Sequence, residues 1–343
     1  MDQQSIKNIK ELASKLNISV TTVSRVLNGK ARQYRISKKT EKIVRDAAHL
    51  YGYSPNQFAR GLKLDKSESI GVIVPDISNP FFAEIVMSIE KESKKKGFAV
   101  LIGNSGDDTE QEITLIDHFK SRKVDGIIVA AVGITSKHLE EVFEAGMPMV
   151  IIDRTFPGLK IPTITSDNYG GAYIATKQLL INNHKKIACI QGLNESQPNT
   201  ERVKGFIDAM QSCNIPDKNV IVTGDQFSIE SGYHQTLKLL KGDSPPTALF
   251  ALNNLIALGV LQAVSELSLS IPGDVSLISF DEQTYSAFLN TPMSTIEQNK
   301  EKIGKISVEK LTAQIAGMEI DKGMFVNVET KLHERQSIKK MKK

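Results

Sequence analysis

Two cysteines in 343 residues, Cys189 and Cys213, make neither a disulfide framework nor a set of metal ligands. No apolar run approaches the eighteen or more residues of a membrane span. The opening segment MDQQSIKNIK has neither the apolar stretch nor the small-residue cleavage site of a secretory leader. These absences predict a cytoplasmic protein with no structural metal and no membrane partner. Catalytic signatures are missing too: there is no GxGxxG or Walker loop, no HExxH, no CxxC and no GxSxG elbow. The six histidines are scattered without ligand spacing, and His184, in NNHKKI ahead of a strand, reads as a capping or turn residue. Asp153 and Asp281 form the one pair that could suggest glycoside hydrolysis, but nothing ties them to a nucleophile or an acid–base arrangement. A binder is expected rather than an enzyme, with no cofactor.

What is present is an asymmetry of charge. Residues 1–66 carry 14 Lys and Arg against 5 Asp and Glu, leaving 29 against 34 for the remainder, so the overall +4 hides a basic head on an acidic body. Such a head suits contact with phosphates. The hydrophobic and charged fractions, 40% and 24%, are those of a soluble globular protein, and the length predicts two or three domains.

The basic head contains NISVTTVSRVLN, residues 17–28. Ser19 is placed to cap a helix in which Val23, Val26 and Leu27 make a narrow apolar stripe. Thr21, Thr22, Ser24, Arg25 and Asn28 point elsewhere, and no carboxylate is among them. Asn17 tolerates the left-handed backbone of a tight turn, and Asn8 with Glu11 caps an earlier helix carrying Leu12, Ala13 and Leu16. Two short helices joined this way form a helix-turn-helix whose second helix fits a DNA major groove. A plain helical hairpin has the same pattern; the charge favours the DNA reading. A basic loop, GKARQYRI, follows, and Ser37 caps a third helix with Ile43, Ala47 and Leu50 expected inside and Gly52 as its stop. Ser54-Pro55 then opens a two-turn helix through Phe58, Ala59, Arg60 and Leu62, marginal in isolation, and LDKSES reads as a linker.

From Ile70 strands and helices alternate, through IGVIVP, FAVLIG, VDGIIVAA and MPMVIID, and the same grammar restarts with KIACIQG, VIVTGD, TALFALN and VSLISFD. This predicts a doubly wound, mostly parallel fold in two similar sheets. A last helix at 300–315 and strand FVNVE, 325–329, are candidates to return to the earlier sheets. Ligands in such sheets bind beyond the carboxyl ends of strands. There the sequence places Asp76 to Phe82, Asn104, Asp153-Arg154, Gln191, Asp225 to Phe227, Asn253-Asn254 and Asp281, which together describe a cleft for a polyhydroxylated molecule with Phe81, Phe82 or Phe227 on its apolar face.

These landmarks together resemble the LacI/GalR family of bacterial transcription regulators over nearly the whole chain. SVTTVSRVLN is similar to the family's recognition helix, YGYSPNQFARGLK to its hinge segment, and IGVIVPDISNPFFAEI, SDNYGGAYIATKQLL, ALFALNNLIALGVL, IPGDVSLISFD and ERQS to its effector domain. The resemblance implies an all-α helix-turn-helix head plus an α/β two-lobed core, like type I periplasmic sugar-binding proteins. It implies a head at 1–53, a hinge helix and linker at 54–69, and a core at 70–337 followed by a basic tail. The N-lobe would hold about 70–165 and 299–323, the C-lobe about 166–298 and 324–337. It also implies a homodimer on a palindromic double-stranded operator, acting as a repressor under a small sugar or sugar-acid effector. A sugar-binding protein with no DNA-dependent role is the alternative. Carried over by position, Val20, Thr21 and Arg25 would read bases, with Ser19, Thr22, Ser24 and Asn28 mainly on the backbone. Ala59 and Leu62 would contact DNA from the hinge, Leu62 as a minor-groove wedge. Phe81, Phe82, Asp153, Arg202, Phe227, Asn254 and Asp281 would hold the effector. The chain departs from the pattern in a longer loop between Asn28 and Ser37, in Asn17 for the usual turn glycine, and in Asn254 where many members have Asp.

Overall fold

The computed structural model describes residues 6, 8–53, 67–319, 321 and 323–342. The segment expected to form the hinge, with Ala59 and Leu62, lies outside the described residues. Those described fall into two compact units divided between Ser67 and Glu68.

The first unit is built on three helices, α1 (Ile9–Leu16), α2 (Val20–Leu27) and α3 (Lys38–Leu50). Asn8 Oδ1 accepts from the Lys10 and Glu11 amides, each at 3.0 Å, and Asn8 Nδ2 donates to Glu11 Oε1 at 2.6 Å, a reciprocal cap on α1. Asn17 closes α1 at φ 52°, and Ser19 Oγ accepts the Thr22 amide at 3.1 Å to open α2. Leu12, Val23, Val26 and Val44 are fully buried at the shared centre. The inner face of α3 is one residue out of phase with the expected one. Val44, Ala47 and Ala48 point inward, while Ile43 and Leu50 are exposed. Both sets keep helical spacing, and the small alanines allow the close approach that α1 and α2 impose on so short a bundle. The longer α2–α3 loop is folded: Ala31 is buried in the centre, and the Tyr34 and Ile36 amides bond back to the Lys30 and Ala31 carbonyls at 3.2 and 2.9 Å.

The second unit holds two six-stranded sheets. The first contains β1 (Ser69–Val74), β2 (Ala99–Asn104), β3 (Gly126–Ala130), β4 (Met149–Ile152), β5 (Thr163–Ser166) and β11 (Phe325–Val328), in the order β11-β5-β4-β3-β1-β2. The second contains β6 (Ile187–Ile190), β7 (Val220–Thr223), β8 (Ala248–Ala251), β9 (Ser276–Phe280), β10 (Ser294–Gln298) and β12 (Thr330–His333), in the order β12-β10-β9-β8-β6-β7. The two orders correspond strand for strand, so the grammar repeats in space as in sequence. Around the first sheet run α4 (Pro80–Lys95), α5 (Thr109–Ser121), α6 (Lys137–Glu144) and α11 (Lys300–Ile315); around the second, α7 (Asn168–Ile181), α8 (Gln197–Ser212), α9 (Ile229–Leu240) and α10 (Asn254–Glu266). Each sheet is buried on both faces, which is why its central strands read as unbroken apolar runs.

The chain crosses between the sheets three times, after β5, after β10 and between β11 and β12. The last crossing corrects the expected lobe boundary at 324. β11 pairs in parallel with β5, Phe325 beside Thr163, and Val328 is buried in the first lobe, so the return comes near Glu329. α11 is fixed to the first lobe by Gln314, whose amide exchanges hydrogen bonds of 3.1 and 2.8 Å with the Met149 backbone.

In the second lobe α9 and α10 meet backbone to backbone through Gly232 and Gly259. A Cβ on Gly259 would lie 2.1 Å from the Ile229 carbonyl oxygen and 2.5 Å from the Tyr233 nitrogen. Gly259→Ala is therefore expected to destabilise the core by about 1–3 kcal/mol, as overpacking does, in a denaturant titration. Gly242→Ala, with its nearest heavy atom 3.5 Å away, is the control and is expected to stay near wild type.

Candidate functional site

Parallel strands end in turns whose side chains are free of the ladder, and in this core the carboxyl ends of both sheets open onto one cavity of about 370 Å³. Phe81, Phe82, Asp153, Arg202, Phe227 and Asp281 all line it. Asp153 follows β4 and Asp281 follows β9, the equivalent strands of the two sheets. Both have left-handed backbone, φ 68° and 72°, a conformation that aspartate tolerates better than most residues.

Arg202 is buried on the inward face of α8. Its Nε donates to Asn168 Oδ1 at 2.8 Å and its Nη1 to the Leu252 carbonyl at 2.6 Å, while the guanidinium lies 3.8 Å over the Phe280 ring. Burial pushes its pKa down, and Asp281 and Asp153 pull it back up. Nη2 makes no hydrogen bond among the described residues. Asp281 is held from behind: Gln298 Nε2 donates to its Oδ1, and the Asn254 amide approaches its Oδ2 at 3.4 Å. The Asp153 carboxylate has no hydrogen bond among the described residues. Burial raises its pKa, Arg202 and Arg154 lower it, and Asp281 and Asp107 raise it further, with a net upward shift.

Phe81 and Phe82 meet edge to face at 4.9 Å on one wall. Phe227 lies against Gly192, where a Cβ would come within 2.3 Å of the ring, so only glycine admits this wall. Sequence reasoning gave Asn79, Asp107 and Gln298 no individual place in this site. Asp107 pairs with Arg154 at 2.8 Å through Nη2, which commits that one nitrogen of the guanidinium. The signal for Asp107 lay in its position just past a strand end; Gln298 sits at the end of β10, a strand that was not anticipated.

Asn254, expected among the effector-holding residues, does not line the cavity. It is buried behind the cavity wall, where its Nδ2 donates to Asn79 Oδ1 at 3.1 Å across the seam between the lobes. Asn79 Oδ1 also accepts the Phe81 amide at 3.1 Å, so Asn79 presents oxygen and Asn254 must present nitrogen. Asn254 Oδ1 is buried without a hydrogen-bond partner among the described residues.

On the head, Ser19, Val20 and Thr21 are exposed and Thr22, Ser24, Arg25 and Asn28 partly so. Asn28 Nδ2 donates to the Ser24 carbonyl at 2.7 Å, closing α2. Among the described residues no group of His, Cys, Asp and Glu could hold a metal ion, and no helix is long and apolar enough to cross a membrane.

Residues 8–56 match the family of bacterial regulatory proteins of the lacI type, and residues 67–341 match the periplasmic binding proteins and sugar-binding domain of the LacI family. The chain belongs to the LacI family. It is 33% identical over 317 residues to the transcriptional repressor PurR of Actinobacillus pleuropneumoniae serotype 3, covering 92% of this chain and 93% of the relative. It is 34% identical over 322 residues to the repressor CytR of Escherichia coli K12, covering 94% and 93%. The crystal structure of a LacI-family regulator from Enterococcus faecium with bound ribose superposes with a TM-score of 0.72 at 29% identity, covering 80% of this chain and all of that one. As a LacI-family member the chain is a DNA-binding transcription regulator.

Two changes test this geometry. Asp153→Asn is expected to raise the melting temperature of the ligand-free protein at pH 7, because it removes a charge that burial disfavours. A raised folded pKa costs stability in full only above it, so the gain fades as pH falls through that pKa and is gone below the ordinary carboxylate value. A lower melting temperature at pH 7 would contradict the assignment. Asn254→Asp replaces the seam donor with an acceptor facing Asn79 Oδ1, and a loss of about 1–3 kcal/mol at pH 7 is expected by denaturant titration.

Proposed function

We propose that the protein represses transcription as a homodimer on a palindromic operator, under the control of a small sugar-like effector held between the lobes of its core. The observation that carries this reading is the cavity at the facing carboxyl ends of two equivalent sheets, tied by the chain to a head with a carboxylate-free helix face. A two-fold dimer presents two such heads to two half-sites. An effector that favours one lobe arrangement shifts DNA affinity by its differential affinity for the two states, and by no more.

The balance of donors and acceptors favours an uncharged sugar over a sugar acid. Asp153 and Asp281 offer carboxylate oxygens to hydroxyl donors, Arg202 Nη2 offers one donor, and Phe227 offers a face for the apolar side of a ring. A ligand carboxylate would add a third negative charge beside the two aspartates. The bound ribose in the Enterococcus faecium relative supports the same class.

The test is fluorescence anisotropy of the purified full chain on genomic fragments that it selects, with and without neutral sugars such as ribose. Sequence-dependent binding that shifts with one of them is expected. Asp281→Ala is expected to keep binding the selected fragment while losing the sugar response. The same affinity for every duplex, with and without sugars, would refute the regulator reading.

A further inference from the structure

The longer loop between α2 and α3 is built, not loose. Ala31 anchors it in the head's centre, and the Lys30 amide donates to the Arg25 carbonyl at 2.9 Å, tying the loop to the last turn of α2. At its tip Arg35 takes left-handed backbone, φ 53°. The chain thereby brings the Tyr34 ring against Arg25, with the guanidinium carbon 3.8 Å from the ring centroid. Tyr34 is 44% exposed, so it is not there to fill the core. The Arg25 guanidinium makes no hydrogen bond or ion pair with any described residue.

Stacking uses the face of a guanidinium and leaves its N–H groups free in the plane, where they reach a base edge. An arginine free in solution loses its rotamer freedom on binding; one already stacked has lost part of it beforehand. We propose that Tyr34 is a positioning residue that holds Arg25 in a base-reading pose, so that the longer loop serves sequence discrimination. The inference rests on the proposed reading of Arg25 as a base contact.

The test uses the full chain and measures its affinity for a fragment selected from the genome relative to bulk competitor DNA. Tyr34→Ala is expected to lower that ratio by about two- to five-fold, the effect of losing one exposed cation–π contact. Tyr34→Phe keeps the ring face and is expected to stay within about 1.5-fold of wild type on the same grounds. Arg25→Ala is expected to lower the ratio by about five-fold or more, after which Tyr34→Ala lowers it no further. An unchanged ratio in Tyr34→Ala, the same loss in the Arg25→Ala background, or a Phe variant as poor as the Ala variant would overturn the proposal. An unchanged ratio in Arg25→Ala would overturn it together with the base-contact reading, while leaving the effector cleft untouched.

Discussion

The structure depends on a constraint of parallel sheets: their strand ends, where side chains escape the hydrogen-bonded ladder, lie on one edge. Here two sheets of corresponding strand order turn that edge toward each other, and the chain passes between them three times. Asp153 and Asp281, equivalent by strand and alike in backbone conformation, thereby face one cavity. Three covalent passages keep the lobes together, and side-chain hydrogen bonds cross between them. The Asn79–Asn254 bond is one such bridge.

The cleft stores electrostatic cost. Arg202 is taken out of water and has no carboxylate in contact; it is supported instead by an amide oxygen, a backbone carbonyl and an aromatic face. Asp153 is buried enough to resist ionisation and has no hydrogen bond among the described residues. Buried polar groups without partners cost stability, and that cost falls when a partner supplies the missing hydrogen bonds. Asn254 Oδ1, at the seam between the lobes, is likewise buried without a hydrogen-bond partner among the described residues.

Much of this was legible in the residues. The caps at Asn8, Ser19 and Ser37 and the turn at Asn17 follow from local chemistry, and the strand-end rule brings Phe81, Phe82, Asp153, Phe227 and Asp281 to the cavity, whereas Arg202, on a helix, was implied by the family resemblance alone. β5, β10 and β12 were not legible, because TITS, STIEQ and TKLH are short and polar enough to read as turns; TITS and most of STIEQ are nonetheless buried. The phase of α3 was missed because Ile43 and Leu50 are more apolar than the alanines that face inward, and composition cannot report how close the neighbouring helices lie. At Asn254 the strand-end rule is coarser than the packing: Asn253 and Leu255 line the cavity and Asn254 faces the other lobe. A periodic pattern fixes which residues share a side, but the side itself is chosen by packing.

On the proposed function, occupancy of the cleft and grip on DNA are one equilibrium. Coupling of this kind is reciprocal, so the factor by which the effector changes operator affinity must equal the factor by which operator changes effector affinity. The direct measurement is calorimetric titration of the effector into the full chain, free and saturated with the selected operator. Dissociation constants that differ by the factor seen in the DNA titration are expected. Equal constants with and without operator would contradict that coupling.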